Sequence, residues 1–370
     1  MKIAVVGHNF VVRENQKQLD ELVSIDLSLD LVLITAKWWN ENTRKTYLER
    51  KDGAKYPIYS LPSFFTGHNT LAFYIRGLAN LLSAFKPDVI EVYEEPWSLF
   101  LLQVILIKKI FRLKTKIVCY SAQNIKKKFP FPFNVIERYN FKNVDAIHIC
   151  SDGIKTVLTE KGYRGLIKKI PLGIDLSKFE FNPKKPTSKL VIGCVGRIVE
   201  AKGVFDLVES IKQIDNCQLI FCGSGSDEAK LKKFVQEQGL TDKVLFRGSL
   251  SFDQLIEFYQ NIDVLVVPSK TTKTWKEQFG RIIVEAYSCG SFVIGSDSGS
   301  IPEIIDNYGL VFKEGDVSDL VNKIKEVQDD PERKLSIRRE AESYVIDTFT
   351  WAKVAESYVA LYREVYENRG

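Results

Sequence analysis

Several short stretches of this chain combine cations, carboxylates and glycines at spacings that suit an anionic, hydroxyl-rich ligand. In GRIVEAKG (196–203), Gly196, Arg197 and Lys202 stand between an apolar run and a segment patterned as a helix. A guanidinium forks onto phosphate oxygens, an ammonium adds a point charge, and a helix N-terminus favours an anion beside both. In EQFGRIIVE (277–285), Glu277 and Glu285 lie eight residues apart around a helix start at Gly280. On one helix face, two carboxylates at that spacing would both lie along one ligand and accept from its hydroxyls. Phe279, Gly280 and Arg281 at that start offer backbone N–H groups to an anion. Gly223 in GSG (223–225), and Gly7 after the first apolar run, let the backbone approach a bound group closely.

These stretches need a frame that presents them on one edge. Apolar runs at 2–6, 31–35, 89–92, 116–120 and 146–150 alternate with helix-like segments near 13–24, 70–85, 97–112 and 152–162. A second series follows: strands at 190–195, 218–222, 244–246, 264–267 and 292–295, with helices at 204–214 and 227–238 among them. Strands alternating with helices predict βαβ units in a parallel sheet, where ligands bind beyond the strands' carboxyl ends. A polar stretch with two prolines, FNPKKPTS at 181–188, separates the series. The expected architecture is α/β, with two Rossmann-like doubly wound domains facing each other across a cleft. They span residues 1–180 and 188–348, and a C-terminal helix follows over 349–370. Val354, Tyr358, Leu361 and Val365 give that helix an apolar stripe.

Composition excludes whole classes. With 45% hydrophobic and 27% charged residues the chain is globular, neither disordered nor fibrous. The six cysteines show no C-x-x-C spacing and read as reduced core thiols. No secretory signal is evident, and the longest apolar run, 99–107, is too short to cross a bilayer. The location expected is therefore cytoplasmic. Net charge is +5, yet residues 101–170 hold 15 Lys/Arg against four acids. Such a segment suits an anionic partner, a membrane surface more than nucleic acid. Within it, KKKFPFPF (126–133) alternates cations with aromatics, as a headgroup interface does. A peripheral position at the inner membrane face is the corresponding expectation. Neither a Walker loop nor a G-x-G-x-x-G fingerprint occurs.

Taken together in order and spacing, these landmarks resemble glycosyltransferase family 4, a group of retaining enzymes with the GT-B fold. The resemblance runs through GRIVEAKG, FCGSGSD (221–227), VLFRGSL (244–250), VLVVPS (264–269), EQFGRIIVEA (277–286), SDSGSIPEII (296–305) and FTWAKVAESY (349–358). It implies that Arg197 and Lys202 hold the diphosphate of a UDP- or GDP-sugar donor. Glu277 would touch the donor sugar's hydroxyls and Glu285 the ribose. Gly7, Gly196, Gly223, Phe279, Gly280 and Arg281 would line the donor site, and Leu250 would meet the nucleobase through its backbone. No metal and no cofactor are expected, since the two cations and the helix N-termini stabilise the leaving group.

The chain departs from the family where many members carry a His or an acid after a mid-domain strand. Here Gln123 and Asn124 follow it, and neither can serve as a base. His8 and Glu94 are the other candidates for acceptor contact or catalytic support; His68 and His148 read as structural. The function expected is retaining transfer of a sugar from a nucleotide-diphosphate donor to a carbohydrate or lipid-linked acceptor, in cell-surface glycan assembly. The alternatives are a nucleotide-sugar epimerase, a phosphorylase, or a non-catalytic sugar-nucleotide binder.

Overall fold

Runs such as VIEV (Val89–Val92) and VLVV (Val264–Val267) are buried along their whole length in the computed structural model. They have no polar face to turn to water, so they belong inside parallel sheets covered on both sides. The structure describes residues 1–41, 44–50, 53–183 and 188–368. The chain divides into two units, Met1–Gly173 with Trp351–Gly370, and Ile174–Thr350. The break lies upstream of the polar 181–188 stretch, of which residues 184–187 lie outside the described residues.

The first unit carries a seven-stranded parallel sheet. Its strands are β1 (Lys2–Val6), β2 (Asp30–Ala36), β3 (Ile58–Leu61), β4 (Val89–Val92), β5 (Lys116–Ser121), β6 (Ala146–Ile149) and β7 (Leu166–Lys169). Their spatial order is β7-β6-β5-β4-β1-β2-β3. The second unit has six parallel strands: β8 (Leu190–Val195), β9 (Cys217–Cys222), β10 (Val244–Gly248), β11 (Val264–Val267), β12 (Phe292–Ser296) and β13 (Leu310–Phe312). They run in the order β10-β9-β8-β11-β12-β13. Each sheet therefore reverses direction once, between β1 and β4 and between β8 and β11. Those switch points are where an open α/β sheet leaves a crevice for a ligand.

Helix α1 (Lys17–Ile25) packs against the last helix of the chain, α7 (Trp351–Glu367), in the first unit's core. Val354, Tyr358, Leu361 and Val365 are all buried there, so the apolar stripe of that helix completes the first unit. Inside this core the Nε2 of His148 lies 2.6 Å from Glu91 Oε1, and Tyr358 OH lies 3.4 Å from its Nδ1. His148 is structural, as expected. All six cysteines are free and buried, and burial pushes the thiols of Cys194 and Cys222 up to about 12.

One helix differs from its expectation. The segment 70–85 is helical only from Leu78 to Phe85. Gly77 before it adopts φ +93, and Phe73–Tyr74 pairs antiparallel with Ser63–Phe64. The apolar spacing of 70–77 reflects that hairpin rather than a helical face.

Candidate active site

The switch point of the second sheet gathers the cations. β8 ends at Val195, and Gly196 turns the chain at φ +136, with open space where a Cβ would point. The exposed Arg197 side chain has no hydrogen-bonded or ion-paired partner among the described residues. A short turn, Glu200–Lys202, then leads through Gly203 into helix α4 (Val204–Ile211). A Cβ on Gly203 would sit 1.8 Å from the Pro268 carbonyl oxygen, and its φ is +67. Only glycine lets this loop lie against the end of β11. Gly196, Arg197, Lys202 and Ser269 line one small pocket there.

Lys202 does not point at empty space. Its Nζ lies 2.6 Å from Glu277 Oε2 and 4.5 Å from the Trp275 ring centroid. Ser269 Oγ donates to the same Glu277 oxygen at 3.4 Å. The loop after β11 thus folds back on the loop after β8, and Arg197, Lys202, Glu277, Ser269 and Trp275 form one cluster. Ser269 and Trp275 were not singled out from the sequence. The available signal was a tryptophan in an otherwise polar loop on the sheet's ligand edge.

Glu277 is not on a helix. Helix α6 (Arg281–Cys289) begins after Gly280, which caps it in the left-handed conformation. The expected placement of Glu277 and Glu285 on one helix face is therefore corrected: the two carboxylates keep separate partners. Glu285, a turn inside the helix, is buried. It accepts from Tyr259 OH at 3.0 Å and pairs with Arg281 Nε at 3.3 Å. Burial raises its carboxyl above the ordinary range, against the opposing pull of Arg281. The side chain of Phe279 is buried against Phe349, so this residue faces the core and only its backbone is offered at the helix start. No acceptor for the N–H groups of Phe279, Gly280 and Arg281 occurs among the described residues.

Gly223 packs so tightly that a Cβ would meet the Gly196 carbonyl oxygen at 1.9 Å. Its glycine holds two loop backbones together. Leu250 lies just before helix α5 (Phe252–Asn261) and lines a cavity of about 430 Å³ with Arg247, Gln254 and Glu257.

The first sheet's switch point holds a different arrangement. Gly7 follows β1 and is closely packed, since a Cβ would lie 2.9 Å from Tyr93 Cβ. Glu94, after β4, accepts from the His8 backbone N–H at 3.0 Å and lies 2.6 Å from His8 Nδ1. The Glu94 side chain is 1% exposed and that of His8 14%. The His8 ring stacks on Trp39 at 4.0 Å. Trp39 belongs to an antiparallel strand pair, Trp38–Glu41 with Arg44–Tyr47, that the apolar runs of the sequence do not mark.

Gln123 stands apart from this pair. Its Oε1 accepts from Lys161 Nζ at 2.8 Å, and Lys161 also bonds Glu137 at 2.6 Å. That tie holds the Gln123 carbonyl on Lys161, while its buried Nε2 has no hydrogen-bond partner among the described residues. Asn124 beside it is half-buried. Glu95 accepts from Ser121 Oγ at 2.8 Å and from the Ala122 N–H at 2.9 Å; burial pushes its carboxyl up to about 7.

Residues 176–344 match the family model for glycosyl transferases group 1. The second unit is a group 1 glycosyl transferase domain. Both clusters of its cations and carboxylates fall within the matched residues. The relatives include a GDP-mannose-dependent monoacylated alpha-(1-6)-phosphatidylinositol monomannoside mannosyltransferase of Corynebacterium glutamicum. It is 27% identical over 215 residues, covering 53% of this chain and 55% of the relative. A D-inositol 3-phosphate glycosyltransferase of Mycolicibacterium smegmatis is 29% identical over 214 residues, covering 54% of this chain and 48% of the relative. The chain thus spans about half the length of these curated relatives. Among solved structures, sucrose-phosphate synthase from Thermosynechococcus elongatus aligns with TM-score 0.71 at 19% identity, over 99% of each chain. Anabaena HepE in complex with UDP aligns with TM-score 0.73 at 16% identity, over 98% of this chain and 100% of that one. This likeness, together with the two Rossmann-like sheets, bears out the GT-B fold read for the group 1 domain and its partner.

Proposed function

We propose that this protein is a retaining glycosyltransferase that moves a sugar from a nucleotide-diphosphate donor to a carbohydrate or lipid-linked acceptor. The observation that carries the reading is the cluster of Arg197, Lys202 and Glu277 at the switch point of the second sheet. Two cations and a carboxylate in one crevice match a ligand with a diphosphate at one end and hydroxyls at the other.

In this reading Arg197 forks onto the diphosphate, and Lys202 leaves Glu277 to meet it. Glu277 then accepts from the sugar's hydroxyls. The bond from the anomeric carbon to the diphosphate oxygen breaks, and its electron pair stays on the diphosphate. Arg197, Lys202 and the open N–H groups at the start of α6 stabilise that charge without a metal. The acceptor oxygen bonds to the anomeric carbon on the face the diphosphate leaves, and its proton passes to the departing phosphate oxygen. Glu285 accepts from the ribose. The names of two neighbours support this donor class: GDP-mannose in the Corynebacterium relative and UDP in the HepE complex. Work at the inner membrane face in cell-surface glycan assembly follows from a lipid-linked acceptor. No helix among the described residues is long and apolar enough to cross a membrane.

A thermal-shift screen of UDP, GDP, ADP and their sugars tests the reading, because a nucleotide that binds only the folded state raises the melting temperature. One base should give a shift, and Arg197→Ala should abolish it. Transfer then yields a product whose anomeric proton reports retention. A shift followed by C2 inversion of the free nucleotide sugar would point to an epimerase. A shift with no turnover would favour a binder, and no shift with any nucleotide would overturn the donor site.

A further inference from the structure

The charge of segment 101–170 does not form one basic surface. Lys108, Lys116, Lys126, Lys161, Lys168 and Lys169 each pair with an acid. Phe129 in the 126–133 loop is turned against Trp97 and under Lys161, so that loop is partly packed inward. A different face is left over.

Helix α2 (Leu99–Ile110) and the segment before the helix Leu78–Phe85 enclose an open groove of about 410 Å³. Ile75, Leu106 and Ile110 line it while standing exposed, Ile110 at 71%. Phe64 and Phe65, both exposed, lie 5.7 and 6.4 Å from Phe73 on its wall. Phe111 continues the patch past the helix end. Exposed apolar side chains gathered around one groove, rather than scattered singly, mark an interaction surface. Arg76 lines the groove, and Lys109, Arg112 and Lys114 stand next to Ile110 and Phe111 in the sequence; all four are exposed and without an acid partner among the described residues, Lys109 lying over the Tyr139 ring. From residue 97 to residue 136 the sequence holds no Asp or Glu at all.

We propose that this face docks on an anionic lipid bilayer, with the aliphatic and aromatic tips entering the headgroup layer and the four cations meeting lipid phosphates. The proposal rests on the reading of a lipid-linked acceptor and gives that acceptor a place of delivery. Composition separates a bilayer from a protein partner. Protein interfaces are depleted in lysine at their centres, whereas here lysine and arginine intermingle with the apolar tips. Cations beside exposed aromatic and aliphatic groups are the signature of an interfacial membrane contact.

Sedimentation of the full chain with vesicles tests this, using phosphatidylcholine alone and phosphatidylcholine with about one-third phosphatidylglycerol. The chain should sediment with the anionic vesicles and scarcely with the neutral ones. Ile110→Asp, and separately Arg112→Glu with Lys114→Glu, should each weaken binding at least about ten-fold. Both variants should keep the wild-type melting temperature and nucleotide shift. Ile110→Ser serves if Ile110→Asp fails to fold. Absence of binding to anionic vesicles, or equal binding by Ile110→Asp, overturns the proposal. So does a lipid-independent dimer that Ile110→Asp dissociates, which would assign the face to a second copy of the chain. Loss of the nucleotide shift in the wild type would overturn the donor reading and leave the vesicle result standing.

Discussion

Lys202 and Glu277, 75 residues apart in sequence, form a half-buried ion pair 2.6 Å long at the end of the second sheet. The pair leaves Arg197 as the cation of the cluster without a carboxylate partner among the described residues. In the proposed reaction a diphosphate would compete with Glu277 for Lys202, so that binding would free the carboxylate as the sugar arrives. On that reading one contact would couple the binding of the diphosphate to the binding of the sugar.

The two partners should therefore respond differently to removal. Lys202→Ala should abolish the thermal shift given by the nucleotide diphosphate. Glu277→Gln weakens the competition for Lys202 and should preserve or enlarge that shift. Turnover should fall in both, by about 10²–10³-fold, as when a charge-stabilising group is lost. Stability should change little, by about 0–1 kcal/mol, because the pair is partly solvated. Equal loss of nucleotide binding in the two variants would sink the competition argument.

The Glu285–Tyr259–Arg281 set invites a separate test. If Glu285 reads the ribose, Glu285→Gln should weaken a nucleoside diphosphate by about ten-fold and leave inorganic pyrophosphate unaffected. Tyr259→Phe removes one hydrogen bond from a buried carboxylate and should cost about 1 kcal/mol of stability. Calorimetric titration with both ligands separates a ribose contact from a fold-supporting one. A parallel loss for pyrophosphate would mean that Glu285 merely positions Arg281.

Much of this arrangement was legible because parallel strands announce themselves. The apolar runs at 89–92, 190–195 and 264–267 became strands with those limits, and the helix expected over 349–370 runs from Trp351 to Glu367. The loops after β1, β4, β8 and β11 carry Gly7, Glu94, Arg197 and Ser269, so sheet order alone brings His8 beside Glu94, and Arg197 and Lys202 beside Ser269. What stayed hidden is pairing at long range. Nothing local in Gln123 shows that Lys161, 38 residues on, occupies its carbonyl. The pairing of Trp38–Glu41 with Arg44–Tyr47 was hidden for another reason. Its sequence, WWNENTRKTY, is too polar and too short to read as a strand pair.

The pH dependence of stability should carry the mark of Glu95. Burial raises its folded-state value to about 7 from an ordinary 4.5. The folded protein therefore holds this proton more tightly than the unfolded chain. Its contribution is fully present below about pH 4.5 and is lost as pH rises through about 7, by at most about 3 kcal/mol. Glu95→Gln keeps an acceptor for the Ala122 N–H and turns its amide to Ser121. The variant should flatten the fall in melting temperature between about pH 5 and 7 and be the more stable protein at pH 8. An unchanged slope in Glu95→Gln would assign the fall to other groups.

His8 and Glu94 supply the last prediction. Glu94 accepts from both the backbone N–H and Nδ1 of His8, which leaves Nε2 as the nitrogen able to accept a proton or a hydroxyl's hydrogen bond. The stack on Trp39 fixes the ring plane. Glu94→Ala strands two donors in a nearly closed space and should destabilise the protein by about 2–4 kcal/mol. His8→Phe keeps a ring on Trp39, so the melting temperature should drop by only a few degrees, corresponding to about 1 kcal/mol. The proposed donor site belongs to the second unit, so nucleotide binding should be unchanged in that variant. Transfer to the acceptor should fall by about 10–100-fold while hydrolysis of the donor by water continues, because only the acceptor's hydroxyl needs Nε2. If transfer and hydrolysis decline together, His8 supports the loop after β1 and has no part in holding the acceptor. If neither declines, the Glu94 carboxylate is buried there to anchor that loop alone.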